Sequence, residues 1–284
     1  MIEFAKRNLL IFFRDKTAVF FSLLATFIIL GLYVLFLGDV WTSNFEQFAN
    51  AREIMDNWVM AGLLAVTSVT TTMGAFGIMI IDKSKKINKD FYSSPIDRKA
   101  IAGGYILSSL LIGLIMSMIT LILAEIYIVA EGGKLLDISS LLKVIGLIII
   151  ADLANTSLVF FITSFFKSET AFSTGSTIIG TLVGFLTGIY LPIGMLPKAV
   201  GMVIKLFPPS YAAMLIRQVM MANPISIAFS GIPIEYAADF KEMLGVTFNF
   251  GNFTISPLIG IIILLATTII FFALAVVNIS RKKK

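Results

Sequence analysis

Residues 257–279 read PLIGIIILLATTIIFFALAVVNI, and after Ser280 the chain continues Arg281, Lys282, Lys283, Lys284. Twenty-three positions pass without a charge, and then four basic residues arrive together. An apolar helix needs roughly 20 residues to cross about 30 Å of hydrocarbon, and cationic residues collect at its cytoplasmic end. The stretch therefore reads as a membrane-spanning helix. It also sets the solvent against which the rest of the chain is read, which is lipid.

Working outward, the same pattern recurs at about 17–38, 58–81, 100–129, 139–166 and 170–191. The expectation is a single all-α membrane domain over 1–284 with six transmembrane helices. Composition agrees: 58% of residues are hydrophobic and 14% charged, where a soluble domain has about a quarter charged. The chain contains neither cysteine nor histidine. That removes disulfides, thiol redox chemistry, haem thiolate ligation, the usual zinc sites and a histidine proton relay. The net charge of +5 is not read as a nucleic-acid signal, because the basic residues sit at the ends of apolar runs.

Residues 1–16, MIEFAKRNLLIFFRDK, put Glu3, Lys6, Arg7 and Arg14 on one helical face and Ile2, Ala5, Leu9, Phe12 and Phe13 on another. This predicts an amphipathic helix in the plane of the membrane interface. A signal-peptide start is the alternative. Charge persisting to Lys16 and the lack of an A-x-A pattern speak against it.

Orientation follows from lysine and arginine. One set of segments carries Lys6, Arg7, Arg14 and Lys16; Lys83, Lys85, Lys86, Lys89, Arg98 and Lys99; Lys167; and Arg281 to Lys284. The alternate segments carry fewer cations per residue and many acids, among them Asp39, Glu53, Asp56, Glu131, Asp137 and Glu242. Both termini are therefore expected in the cytoplasm, with the chain in the plasma membrane. Between the fifth and sixth expected spans, residues 192–256 hold six prolines and only short apolar segments. Segments of roughly 10–14 residues suit re-entrant helices. The reading is short helices over 193–221 dipping into the outer leaflet and an outer loop over 222–256, with Thr247 to Phe250 as a candidate strand.

The sizeable cytoplasmic loop, 82–99, reads DKSKKINKDFYSSPIDRK. It is too small for a catalytic domain. Ile87, Phe91 and Tyr92 give its basic run an apolar centre, and Pro95 stops any short helix. On charge alone it is a positive-inside anchor for lipid headgroups; the alternative is a handle for a soluble partner. Within the spans, Gly180, Gly184 and Gly188 form a small-x-x-x-small ridge. It reads as a dimer seam or gating face, or as ordinary packing within one subunit. Asp152 lies mid-span, close to Asn155, and Glu125 lies near the outer end of the third span. An ionised group at mid-membrane costs roughly 2.5–3.5 kcal/mol on insertion scales. Each is thus a polar contact in a translocation path or an interhelical hydrogen bond. Glu125 can also be satisfied by reaching the outer headgroups.

Residues Ile87 to Arg98 followed by Gly104-Tyr105-Ile106, the opening Arg7-Asn8-Leu9 through Phe13-Arg14-Asp15-Lys16, and Gly188 to Pro197 followed by Phe207-Pro208-Pro209 and Leu215-Ile216-Arg217 together resemble the membrane subunits of bacterial ABC exporters of the second export class. The resemblance implies six membrane helices preceded by an amphipathic connecting helix. It also implies a re-entrant hairpin between the last two spans, here carrying Pro192, Gly194, Pro197, Pro208 and Arg217. By the same resemblance two permeases pair, as identical copies or paralogues, and two ATPase subunits dock beneath them. A coupling helix at about 84–94 would bring Lys86, Ile87, Lys89, Asp90, Phe91 and Tyr92 to the ATPase, with Arg7 and Arg14 alongside. The region after Pro224 offers no matching motif.

No G-x-x-x-x-G-K-[ST] occurs in the chain, so ATP and Mg would be bound by the separate ATPase and no cofactor by this chain. No serine elbow, carboxylate dyad or metal cluster points to an enzyme. The function expected is the membrane subunit of an ATP-driven exporter of lipophilic or amphipathic cargo. The alternatives are an ion-gradient transporter, or a membrane-embedded lipid-modifying enzyme or scaffold.

Overall fold

The computed structural model describes residues 1–45, 47–48, 50–93 and 96–281, with backbone only for Tyr92, Arg98 and residues 279–281. Pro95 and the side chain of Tyr92, both expected at the coupling loop, lie outside the described residues.

Helix α1 (Ile2–Arg14) forms where it was expected, but its buried face is Phe4, Ala5, Asn8 and Phe12. Ile2 and Phe13, read as part of the apolar face, are exposed. The reason is Arg7. It turns inward to an acidic partner and rotates the contact face towards positions 4, 8 and 12. At Asp15 the chain restarts, the carboxylate accepting a hydrogen bond from the amide of Ala18 at the start of α2 (Lys16–Ser22).

The first long apolar element is not 17–38. It begins with α3 (Leu24–Leu32), runs through a π-helical turn at Tyr33–Leu37, and ends with α4 (Gly38–Ser43). Asp39 does not stop it because Arg52 pairs with it at 2.9 Å. Helix α5 (Ala51–Ser84) likewise starts seven positions before the expected 58 and spans 34 residues, about 51 Å at about 1.5 Å per residue. Its polar first turns looked like loop. They are helical because Asp56 accepts from Tyr33 Oη at 2.8 Å, and Asn57 donates to the carbonyl of Glu53 at 2.8 Å. α5 is buried along almost its entire length. It packs against α7 (Arg98–Ala130), α8 (Ile138–Thr163), α9 (Glu169–Leu186) and α11 (Pro208–Met220), while α14 (Pro257–Arg281) closes the bundle against α8 and α11. The short α6 (Ile87–Ser93) follows α5 after Lys86, whose φ of 62° turns the chain.

Among the described residues, five helices are long and apolar enough to cross a membrane: Leu24–Ser43, Ala51–Ser84, Lys99–Ala130, Ile138–Thr163 and Pro257–Asn278. The fifth expected span, 170–191, is shorter than read. α9 has 18 residues, about 27 Å, and its first half carries Thr170, Ser173, Thr174, Ser176 and Thr177. Beyond it come a 3-10 turn (Ile193–Met195), α10 (Lys198–Leu206) and α11, the last two joined at a 90° bend. Pro208 opens α11, where a missing N–H costs no helical hydrogen bond.

Residues 222–256 are not an irregular loop. They form α12 (Ala222–Ala228), α13 (Ile234–Met243) and an antiparallel hairpin of β1 (Asn249–Phe250) with β2 (Phe253–Thr254), turning at Gly251 with φ +61°. The strand is shorter than the expected 247–250. Phe248 instead turns inward, edge-on to Tyr211 with ring centroids 5.4 Å apart.

Candidate functional site

One end of the bundle gathers the expected coupling residues around a carboxylate that the sequence reading passed over. Asp82, near the C-terminus of α5, receives Arg7 Nη1 at 2.7 Å, Arg7 Nη2 at 3.1 Å and Tyr105 Oη at 2.6 Å. Asp82 is buried, and Arg7 is about one-third exposed (31%). The bonds to Asp82 raise the Arg7 pKa further above its usual value, so the guanidinium stays charged. Its carbon also lies 4.9 Å from the Phe91 ring centroid, the distance of a cation–π contact. Phe4 stands edge-on to both Phe91 and Tyr105, and Asn8 donates to Ser108 Oγ at 3.2 Å. Thus α1, α5, α6 and α7 are tied by one knot. Arg7 is a member of that knot while its side chain keeps partial access to solvent. Lys86, Lys89, Asp90 and Arg14 are exposed, and Ile87 is half-buried.

Asp152 sits at the heart of the bundle, where α5, α7 and α8 meet. Ser68 Oγ donates a short hydrogen bond to its Oδ1, Ser117 Oγ a longer one at 3.4 Å, and Asn155 Nδ2 donates to Ser68 at 2.8 Å. All four side chains are buried. Asp152 and Asn155 are thus hydrogen-bonded across α5, α7 and α8. Gly113 of α7 gives the room: a Cβ there would lie 2.9 Å from Thr72 Oγ1 and 3.4 Å from Asp152 Oδ1. Glu125 has a local partner, its Oε2 accepting from the amide of Leu136 at 3.0 Å and pinning the turn between α7 and α8.

The three glycines of the ridge have different surroundings within the single chain. Gly180 faces open space, a Cβ on Gly184 would meet the Tyr190 ring at 2.5 Å, and Gly188 has φ +64° as it ends α9. Gly188 is there for its conformation, since a left-handed residue commonly closes a helix. Gly194 packs directly on Met243, while Pro192 and Pro197 precede the 3-10 turn and α10.

Arg217, in the segment expected on the outer side, is fully buried. It donates to the carbonyls of Thr187 (3.2 Å), Gly188 (3.0 Å) and Trp58 (3.4 Å), and it lies 5.0 Å from the Trp58 ring centroid. Among the described residues it has no carboxylate partner. Its charge rests instead at the C-terminal end of α9, where the helix dipole is negative. A second unforeseen cluster surrounds Arg52, which pairs with Asp39, Asp56 and Glu131 and donates to Tyr127 Oη at 2.9 Å. These acids were read only as markers of sidedness. An arginine set among several acids was the signal available for pairing.

An open groove of about 730 Å³ runs between α2–α3, α5 and α9, walled by Phe21, Ile28, Met73, Phe172, Thr177 and Gly180 among others. Its exposed surface is mostly apolar, although seven of its seventeen lining residues, among them Ser22, Thr70, Ser173 and Tyr190, carry hydroxyls.

Long apolar helices, joined inside by paired polar side chains, define a multi-pass helical membrane protein. A family profile described as ABC-2 type transporter matches residues 2–221, and the chain belongs to that family. It is accordingly a transporter permease subunit and not itself catalytic. No curated protein matches the chain. The family match stops at Met221, before α12, α13, the hairpin and α14.

Proposed function

We propose that the chain is the permease of an ATP-driven exporter, and that α6 receives the push of an ABC ATPase docked beneath it. The observation that carries this reading is the Arg7–Asp82–Tyr105 knot. It joins the short helix α6, whose Lys89 and Asp90 are exposed, and the interfacial helix α1 to the ends of α5 and α7, so a displacement of α6 reaches the bundle through charged and aromatic contacts rather than a slack loop. Lys83, Lys85, Lys86, Lys89, Lys99 and Lys167 share that end, which favours placing it and both termini in the cytoplasm of a plasma-membrane protein. With both termini on one side, α9 is the fifth crossing, and α10–α11 enter and leave on the outer side as a re-entrant pair.

Two permeases, identical or paralogous, pair across the groove between α2–α3, α5 and α9. Ile178, Leu182 and Phe185 of α9 are exposed beside it. Its apolar lining suits a lipophilic or amphipathic cargo with few hydrogen-bonding groups. Net export requires that the inward and outward states bind that cargo differently. ATP and Mg are held by the ATPase alone.

The direct test is co-reconstitution in vesicles with an ABC ATPase that co-purifies with this chain. The expected result is solute movement that needs ATP and both proteins, and that is lost on Phe91→Ala while membrane insertion persists. Vectorial transport by this chain alone, without nucleotide, overturns the reading.

A further inference from the structure

A second cavity, of about 420 Å³, lies at the opposite end of the fold from α1 and α6, between α10 and the β1–β2 hairpin. Lys198 and Lys205 line it along with Glu242 and Asn249. With two cations against one acid, the cavity carries an excess positive charge. Lys205 is drawn inward, its side chain 16% exposed, with Nζ 3.3 Å from Glu242 Oε1 and donating to the carbonyl of Asn249 at 2.9 Å. An ammonium has three donors, so one remains. Asn249 Nδ2 donates to Glu242 Oε2 at 2.6 Å, which fixes the amide orientation and leaves its buried Oδ1 without a partner among the described residues. The excess positive charge and the remaining ammonium donor of Lys205 call for an anionic acceptor.

Two further features say where such a ligand comes from. The first turn of α10 borders the cavity with no side-chain cap on its amides, which favours a negative group there. The same helix exposes Val200, Met202, Val203 and Leu206. An apolar helical face beside a cationic hollow is the arrangement of a residue set at the boundary between acyl chains and headgroups. We propose that this cavity binds the glycerophosphate headgroup of an anionic membrane phospholipid. The phosphate sits against Lys198, Lys205 and the first turn of α10, and the acyl chains run along α10.

This inference rests on the reading that α10 lies at membrane depth, but it needs neither nucleotide nor the ATPase. It is therefore tested on the purified full chain in detergent, by native mass spectrometry and thermal shift. The probes are phosphatidylglycerol, phosphatidylcholine and soluble glycerol 1-phosphate. Phosphatidylglycerol is expected to bind and raise the melting temperature, and phosphatidylcholine to do so far less. Lys198→Gln, at an exposed site outside the internal ion pair, is expected to weaken phosphatidylglycerol about tenfold, the loss of one charge-assisted hydrogen bond. Lys205→Gln is expected to weaken it at least as much. Equal binding of the two lipids, or unchanged affinity in Lys198→Gln, overturns the proposal. So does glycerol 1-phosphate binding as tightly as the lipid, since the site would then take a free anion. Failure of ATP-coupled export leaves each of these readouts unaffected.

Discussion

Arg7 and Asp82, 75 positions apart, meet through a two-pronged ion pair of 2.7 and 3.1 Å that fastens α1 to the end of α5. The two partners differ in exposure. Asp82 is 4% exposed at its side chain and Arg7 31%. Removing one is therefore not equivalent to removing the other.

Arg7→Met strands a buried carboxylate with Tyr105 as its main donor, a loss on the order of 3–5 kcal/mol. Asp82→Asn leaves a guanidinium that can reach water and costs less. Thermal unfolding of the two variants in detergent should show Arg7→Met melting lower. The reverse order would mean that Arg7 is not the compensating charge for Asp82.

Helix α8 begins on Asp137, whose carboxylate accepts from the amides of Ser139 and Ser140 at 3.0 and 3.2 Å. Hydrogen bonding to Ser140, side chain first, lowers the Asp137 pKa below its ordinary value of 3.8. The folded state therefore binds this proton less readily than the unfolded one. The cap's contribution is complete above about pH 4 and is lost as pH falls through the depressed value. Asp137→Ala should lower Tm at neutral pH, with Asp137→Asn intermediate, and both should flatten the acid limb of the Tm–pH curve.

The spans were legible wherever the pattern was simple. The predicted 100–129 and 139–166 lie within two or three residues of α7 and α8, because unbroken apolar runs leave a helix in lipid no competitor. The errors fall where polar residues are paired through the fold. The start of α5 reads as loop in sequence because the groups that satisfy Asp56, Tyr33 and Arg52, are distant in sequence or on another turn. Ala5 and Phe12 of the expected apolar face of α1 are buried, while hydropathy cannot show Arg7 turning towards Asp82. Asp152 was noticed for its rarity in a span, yet its donors Ser68 and Ser117 come from two other helices. Pairing across helices leaves no local pattern, so charge was legible and partnership was not.

Gly113→Ala tests how tightly that polar core is packed. The new methyl would sit 2.9 Å from Thr72 Oγ1 and 3.4 Å from Asp152 Oδ1, both on buried and constrained side chains. Overpacking of this kind costs about 1–3 kcal/mol, and the Tm should fall accordingly. Gly146→Ala, with no neighbour within 4 Å of its Cβ, is the control and should melt like the unaltered chain.

Arg217→Met retains bulk but removes the donors to the carbonyls of Thr187 and Gly188. The end of α9 then loses the cation that balances its dipole. Hydrogen exchange should accelerate at amides 183–189 well before global unfolding. Lys at this position keeps charge without the planar fork and should protect only partly. Unchanged exchange in Arg217→Met would reduce Arg217 to a space-filling residue.

Gly180 and Gly184 of α9 separate packing within one subunit from pairing between two. A Cβ at Gly184 would strike the Tyr190 ring at 2.5 Å, whereas one at Gly180 meets nothing within 4 Å in the single chain. Gly184→Ala must therefore displace Tyr190 and lower the stability of the isolated subunit. Gly180→Leu should leave that stability unchanged, because the side chain enters the open groove. If a second permease closes the groove there, the added leucine removes room only in the assembly. Light scattering should then show a shift from dimer to monomer for Gly180→Leu at unaltered Tm. A dimer fraction equal to that of the unaltered chain would place the pairing surface elsewhere on the bundle.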